Sequence, residues 1–136
     1  MTKTVLDKLG FKSGMIGWAR HVPADVVSII PFKTHPPAKK PDIIIAFIKT
    51  TGEVPRTMEA VVAHYERGKS LWFAYPKKTG GIKTDLSRDH GWEPLAGKEL
   101  LPVTQVAIDD TWSALRFRYR DEIATLTRRS DLPGKK

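Results

Sequence analysis

The feature that most constrains the fold is a pair of apolar runs separated by one amphipathic segment. The runs are IIIAFI at 43–48 and LWFAY at 71–75, and their lack of polar alternation is typical of strands covered on both faces. Between them, residues 53–67 carry apolar side chains at the spacing of a helix, and Gly68 follows as a suitable end. Strand, helix and strand in this order predict a right-handed βαβ unit.

Three more strands are predicted at 15–19, 103–108 and 113–119. The last of these alternates regularly, with Leu115, Phe117 and Tyr119 on one face and Arg116, Arg118 and Arg120 on the other. The short link at 109–112 has turn composition, so we expect this strand to pair antiparallel with the one before it.

Shorter helices are predicted on either side of the βαβ unit. One lies within 2–14 and is closed by Gly10, and a second covers 24–30. A third covers 85–97, with Thr84 or Asp85 as its N-cap, and is broken or re-angled by Gly91 and Pro94. Alternating strands and helices predict a three-layer α/β fold whose sheet is mostly parallel.

The 136-residue length predicts a single domain, over 1–127, followed by a flexible polar tail at 128–136. The chain has no cysteine, which excludes disulfides, thiol nucleophiles and cysteine-based metal sites. It also has no apolar run long enough to span a membrane and no signal-peptide core at its start. We therefore expect a cytoplasmic protein without a membrane partner. The formal net charge of +8 favours an anionic partner.

The main candidate site is the basic, glycine-bearing loop that follows the run at 71–75. In an open α/β sheet, ligands bind beyond the carboxyl ends of the strands, and backbone N–H groups near a helix start favour an anion. Asp110 and Trp112 follow a neighbouring strand and are added to this site. The alternative for the loop is a solvated surface turn. The alternative for the link at 109–112 is that Asp109 and Asp110 only form the turn and that Trp112 fills the core. The predicted ligand-binding residues are Lys77, Lys78, Thr79, Gly80, Gly81, Lys83, Thr84, Asp85, Asp110 and Trp112.

No residue is predicted to be catalytic. Asp85, Arg88, Asp89 and His90 resemble acid–base machinery, but a helix start with locally paired charges and a surface histidine explains them better. The four histidines lack the spacing of metal ligands, so we predict no metal.

The arginine row formed by Arg116, Arg118 and Arg120 supports a different hypothesis, a nucleic-acid-binding surface. Its alternative is the solvated face of a strand, with the arginine stems lying on apolar neighbours.

Two segments carry a resemblance to a known group of proteins, WFAYPKKTGGIKTDLSRDHGW and VAIDDTWSALRFRYR, together with the Lys8-Leu9-Gly10 entry to the first strand. They resemble a bacterial family of uncharacterised domains that look like shortened members of the methyltransferase-like Rossmann superfamily. The resemblance implies the sheet order 1-2-3-5-4, with strand 5 inserted antiparallel. It implies no activity.

The superfamily places S-adenosylmethionine on a glycine-rich loop after the first strand. Here that strand is followed by Ala19-Arg20-His21-Val22-Pro23, which contains no glycine. We therefore predict no cofactor. The leading hypothesis is a non-catalytic Rossmann-like module that binds a small anionic ligand or a protein partner through 77–85. The alternatives are a nucleic-acid-binding protein and a degenerate methyltransferase-like enzyme.

Overall fold

The computed structural model describes residues 4–35 and 37–127, and its strands form one five-stranded sheet. The strands are β1 (Gly17–Arg20), β2 (Ile43–Phe47), β3 (Ser70–Pro76), β4 (Leu100–Ala107) and β5 (Trp112–Tyr119). Their order across the sheet is β1-β2-β3-β5-β4. The expected order 1-2-3-5-4 is confirmed, as is the antiparallel insertion of β5 between β3 and β4.

The expectation of a mostly parallel sheet needs correction. The β1–β2 and β2–β3 pairings are parallel, whereas β5 runs antiparallel to both of its neighbours. The hairpin link between β4 and β5 reverses the chain, and the inserted position of β5 turns that single reversal into two antiparallel pairings. The sheet is therefore mixed.

The helices are short and unevenly placed. They are α1 (Val5–Leu9), α2 (Val54–Val62), α3 (Glu93–Ala96) and α4 (Arg120–Thr127), with single 3₁₀ turns at Ala24–Val26 and Thr51–Glu53. Thr4 caps α1 through a reciprocal pair of hydrogen bonds with Asp7, and Gly10 ends the helix as predicted.

Apolar side chains are buried on both faces of the sheet. On one face, Phe73 and Phe117 pack against residues of α2 and α3, including Met58 and Leu95. The opposite face includes Trp72 and is covered by α1 and the chain around Val26 and Ile30. The unbroken apolar runs predicted to be covered on both faces are fully buried in β2 and almost fully in β3.

The helix predicted over 24–30 is reduced to the single 3₁₀ turn at Ala24–Val26. Pro23 stands at its N-cap position and provides no side-chain hydrogen bond, and the residues that follow are largely β-branched. Without a cap, a short segment of low helix propensity does not extend into a full helix.

The central helix α2 ends at Val62 rather than continuing to the predicted limit at 67. Lys40 Nζ donates a hydrogen bond of 3.0 Å to the carbonyl oxygen of Ala63, which satisfies one of the acceptors left at the helix end. The chain then turns through Gly68 into β3.

The helix predicted over 85–97 is wrong for its first half. Residues 85–91 form an irregular segment with one isolated bridge between Ser87 and His90, and only Glu93–Ala96 is helical. Asp85 does not cap a helix, because its carboxylate accepts hydrogen bonds from the backbone N–H and hydroxyl of Thr51, at 2.8 and 2.7 Å.

The sequence pattern predicts no helix after β5, where the structure has α4. Glu122 lies in the first turn of α4 and accepts a hydrogen bond of 2.8 Å from the backbone N–H of Tyr119. The predicted tail at 128–136 lies outside the described residues.

Candidate functional site

A surface cavity of about 290 Å³ lies where β3 ends and β5 begins; we call it the edge cavity. This is the carboxyl edge of the parallel strands, the position at which open α/β sheets place ligands. Its lining residues are Tyr75, Pro76, Lys77, Lys78, Leu86, Ser87, Arg88, Gln105 and Ser113.

Strand register assembles the floor of the edge cavity. Tyr75 of β3 lies directly opposite Ser113 of β5, so both side chains project from the same face of the sheet. From β4, the Gln105 side-chain amide nitrogen donates hydrogen bonds to the Tyr75 hydroxyl at 2.8 Å and to the Ser113 hydroxyl at 3.0 Å. Because both hydroxyls accept from this one amide, at least one hydroxyl proton remains for a bound acceptor.

The rim of the edge cavity is cationic. Lys77, Lys78 and Arg88 line it, and no acidic side chain is among its lining residues. Burial raises the pKa of Tyr75, and the nearby Ser113 hydroxyl and Arg88 charge oppose that rise. Tyr75 is therefore a neutral phenol at neutral pH, and its hydroxyl keeps a proton that it can donate. The arrangement suits a ligand that carries negative charge and several acceptor atoms.

Of the predicted site residues, only Lys77 and Lys78 line the edge cavity. The loop they begin is fixed by its own backbone: Lys77 N–H donates to the carbonyl oxygen of Thr111 at 2.7 Å, and Gly80 N–H donates to that of Lys77 at 3.0 Å. Gly80 lies so close to Thr111 that a Cβ atom there would be 2.8 Å from the Thr111 Cα. The Gly80 amide is thus engaged within the loop.

The other members of the predicted loop site lie away from the edge cavity. Lys83 is exposed and Thr79 is exposed, while Gly81 adopts a left-handed conformation with open space around it. The Thr84 hydroxyl accepts a hydrogen bond of 3.0 Å from the Leu86 backbone N–H, which makes a local turn. Hydrogen bonds from the Thr51 hydroxyl and then the Thr51 backbone N–H hold the pKa of Asp85 below its usual value.

Trp112 and Asp110 do not lie at the edge cavity either. Trp112 is 2 % exposed and packs edge-on against Phe47 at 5.2 Å between ring centroids, on the opposite face of the sheet. Asp110 is exposed in the turn. Asp109 forms that turn, because its Oδ1 accepts hydrogen bonds from the backbone N–H groups of Thr111 and Trp112. Trp112 thus fills the core and Asp109 forms the turn, as the alternative interpretation of these two residues predicts.

In the described part of the chain, no hydrogen bond or ion pair joins the side chains of Asp85, Arg88, Asp89 and His90, although the charge of His90 adds to the Thr51 hydrogen bonds in lowering the pKa of Asp85. Asp85 is bonded to Thr51, and His90 is exposed and bonds to Ser87 only through its backbone. Within the described ranges, no three histidine, aspartate or glutamate side chains come together in a group that could hold a metal ion.

The arginine row is not an exposed basic surface. The Arg116 guanidinium donates to the carbonyl oxygen of Lys69 at 3.2 Å, and burial followed by the Arg118 charge lowers the pKa of Arg116. Arg118 is 17 % exposed and pairs with Glu122 at 3.7 Å. Arg120 is exposed but paired with Glu99 at 2.6 Å. The row therefore contributes to intramolecular contacts rather than to a free stripe of charge.

The residues that the sequence interpretation missed are Tyr75, Gln105 and Ser113. The sequence pattern places Tyr75 only in a buried strand and Ser113 only at the start of the last strand. The strand pattern gives part of this information, since Ser113 lies on the same face of β5 as Leu115 and Phe117. The register between strands decides that Tyr75, Gln105 and Ser113 meet, and the sequence does not specify that register.

Known proteins resemble this chain in fold, and none was matched through its sequence. No protein-family model matches the chain, and a search of curated proteins found no match. The membership in a bacterial family of uncharacterised domains thus stays a prediction. None of the helices in the described part of the chain is long and apolar enough to cross a membrane.

Solved structures do resemble the chain. The B. subtilis M1A22 tRNA methyltransferase TrmK aligns with 97 % of this chain and 71 % of its own, at 10 % identity and a TM-score of 0.52. A protein of the NADB-Rossmann superfamily from Streptococcus agalactiae aligns with 88 % of this chain and 69 % of its own, at 8 % identity and a TM-score of 0.48. A fibrillarin/Nop5p complex chain aligns with 76 % and 61 %, at 8 % identity and a TM-score of 0.42. The alignment with TrmK therefore shows that the chain has a Rossmann-type fold like that of this methyltransferase.

Proposed function

We propose that this chain is a methyltransferase-like module that binds a small anionic ligand in the edge cavity and performs no chemistry on it. The observation that carries the proposal is that Lys77, Lys78 and Arg88 line the same cavity as Tyr75 and Ser113. Three cations without an acidic neighbour in the lining attract an anion, and the hydroxyls and the Gln105 amide fix its orientation.

Two observations support the proposal that the chain has no catalytic role. No lining residue of the edge cavity is a histidine or a carboxylate, the side chains that most often move protons at neutral pH. The residue that follows β1 is His21, in a left-handed conformation with φ +59°, where a cofactor-binding loop would need glycine.

A thermal-shift screen tests the proposal. Pyrophosphate, sugar phosphates, nucleotides and S-adenosylmethionine are each added to the full chain. A ligand that binds only the folded state, at about 100 times its dissociation constant, stabilises it by about 2.7 kcal/mol, or roughly 10 °C for a domain of this size. We expect stabilisation by at least one of the anions and none by S-adenosylmethionine.

Paired variants show whether the edge cavity is responsible. Lys77→Ala with Lys78→Ala removes two rim charges, and we expect the affinity for the anion to fall about tenfold. Lys12→Ala with Lys83→Ala removes the same net charge from exposed positions outside the lining, so this control should retain most of the affinity. Equal losses in both double variants would show that net charge, not this cavity, holds the ligand.

A further inference from the structure

The strand β4 lies at one side of the sheet, and its outer edge faces no other strand of the described chain. Residues 102–105 and Ala107 are exposed. An unpaired edge presents N–H and C=O groups that pair readily with another chain, and proteins usually protect it with charges, prolines or bulges. In β4, Pro102 and the irregular register between Pro102 and Thr104 protect only the first half. The segment 104–107 contains neither a proline nor a charged residue.

The register of β4 against β5 decides which backbone groups of 104–107 point outward. The Ile108 N–H donates to the carbonyl oxygen of Trp112 at 3.0 Å. In an antiparallel ladder, pairs of residues that exchange hydrogen bonds alternate with pairs that do not. Counted back from Ile108, Gln105 and Ala107 belong to the pairs that do not bond to β5. Their two N–H and two C=O groups therefore face the free edge.

A cavity of about 150 Å³ lies beside this edge; we call it the β4 cavity. Its lining residues include Arg88, Asp89, Thr104, Gln105 and Leu115. Arg88 and Gln105 also line the edge cavity, so the two cavities adjoin. Side chains of a strand project alternately to the two faces of a sheet. In a strand paired with β4, the side chains on the face of Gln105 would therefore lie next to both cavities.

The charges around the two cavities favour an acidic occupant. Lys77, Lys78 and Arg88 are cationic, and Asp89 is the one acidic side chain among the described residues that line them. The carboxylates of the turn at 109–112 line neither cavity. A second copy of the chain would bring a further formal charge of +8 to this edge, so charge disfavours a second copy as the occupant.

We propose that β4 binds an extended, acidic peptide segment of a partner protein, which adds a strand to the five-stranded sheet. Backbone hydrogen bonds join the peptide to Gln105 and Ala107, and a carboxylate of the peptide reaches the cationic rim of the edge cavity. This proposal rests on the anion-binding function proposed above, because it identifies the anion as a peptide carboxylate. Backbone pairing supplies the affinity, and the carboxylate supplies the specificity.

Amide hydrogen exchange on the full chain tests the added strand. The probe is the acidic peptide acetyl-Val-Glu-Val-Glu-Val-amide, whose glutamates project from one face of a strand. At saturating peptide, we expect exchange at the Gln105 and Ala107 backbone N–H groups to slow about tenfold or more. Thr104 and Val106, whose N–H groups face β5, are internal controls and should change little. Pyrophosphate should leave exchange at Gln105 and Ala107 unchanged.

Two changes separate backbone pairing from anion binding. The acidic peptide N-methylated at its central Val and the following Glu loses two neighbouring N–H groups, one of which must face β4, so its affinity should fall about tenfold. Ala107→Pro removes an outward donor but no hydrogen bond to β5, a position at which edge strands accept proline. It should weaken binding of the acidic peptide about tenfold and leave pyrophosphate binding unchanged. The N-methylated peptide gives the same test on the wild-type chain should Ala107→Pro fail to fold.

The role of the carboxylate is tested by a peptide with lysine in place of both glutamates, which should bind about tenfold more weakly. Equal affinities of the acidic peptide and either the lysine or the N-methylated peptide would overturn the proposal. So would slow exchange at Gln105 and Ala107 that depends on the concentration of the chain without peptide, because the occupant would then be a second copy. Pyrophosphate binding without peptide binding would overturn this proposal alone, whereas the loss of both would also overturn the function proposed above.

Discussion

Replacing Glu122 with alanine should lower the free energy of unfolding by about 3–5 kcal/mol, the loss expected when one partner of a buried charged network is removed. Glu122 is 7 % exposed and accepts hydrogen bonds from the Tyr65 hydroxyl at 2.7 Å, from Gly68 N–H at 3.0 Å and from Tyr119 N–H at 2.8 Å. It also neutralises Arg118. Alanine leaves the hydroxyl, two backbone donors and a mostly buried guanidinium without this acceptor.

Urea unfolding of the variant and of Asp121→Ala measures the effect. Asp121 lies next to Glu122 in α4, but its ion pair with Arg67 is exposed, with side-chain exposures of 65 % and 58 %. Exposed pairs contribute about 0–1 kcal/mol, so the control should lose less than about 1 kcal/mol. Similar losses in the two variants would mean that Glu122 does not join α4 to the turn before β3.

The same carboxylate predicts a pH dependence. Burial would raise the pKa of Glu122, but hydrogen bonds from Gly68, Tyr119 and Tyr65 and the Arg118 charge outweigh burial and lower it below its usual value. A depressed folded-state pKa adds stability that is present above the unfolded value and is lost as pH falls through the folded value. Between neutral pH and pH 3, the wild-type chain should therefore lose more stability than Glu122→Gln. Parallel pH profiles would contradict this.

Gly91→Ala should destabilise the chain by about 2–4 kcal/mol, the combined cost of backbone strain and overpacking. Gly91 has φ +106°, and a Cβ atom there would lie 2.5 Å from Leu86 Cδ2 and 2.8 Å from Thr51 Cγ2. If 85–97 were instead a continuous helix through Gly91, the same change would stabilise the chain by up to about 1 kcal/mol. The sign of the effect therefore distinguishes the irregular segment from a helix.

Gly97→Ala is the matched control for this prediction. Gly97 ends α3 with φ −64°, and its nearest contact to an added Cβ would be 3.5 Å away. Its stability should change by less than about 1 kcal/mol, and thermal unfolding of both variants under identical conditions gives the comparison. A stabilised Gly91→Ala variant would show that 85–91 can become helical.

The parts of the fold that the sequence predicts are those set by local pattern. The unbroken apolar runs at 43–48 and 71–75 correspond to β2 and β3, which are parallel as predicted. The alternation at 113–119 corresponds to β5, whose short link to β4 permits only an antiparallel pairing. Its insertion beside β3 came from the resemblance, because local pattern does not decide which neighbours a strand chooses.

The errors have long-range causes. The composition around Asp85 fits a helix start, yet its carboxylate binds Thr51, 34 residues earlier in the chain. The arginine row looks like a free surface until Lys69 and Glu122 are brought to it by other elements. At the site, a lysine pair after an apolar run identified the cationic rim, whereas Tyr75, Gln105 and Ser113 meet only through the register of three strands.

The most direct test of anion binding at the edge cavity is the side-chain amide signal of Gln105. The chain contains a single glutamine and no asparagine, so one pair of carboxamide signals in a ¹H–¹⁵N spectrum reports on the floor of this cavity without further assignment. On titration with pyrophosphate, we expect this pair to shift saturably, and to shift about tenfold more weakly in the Lys77→Ala and Lys78→Ala double variant. A carboxamide pair that stays fixed while pyrophosphate stabilises the chain would place the anion elsewhere and contradict the proposed site.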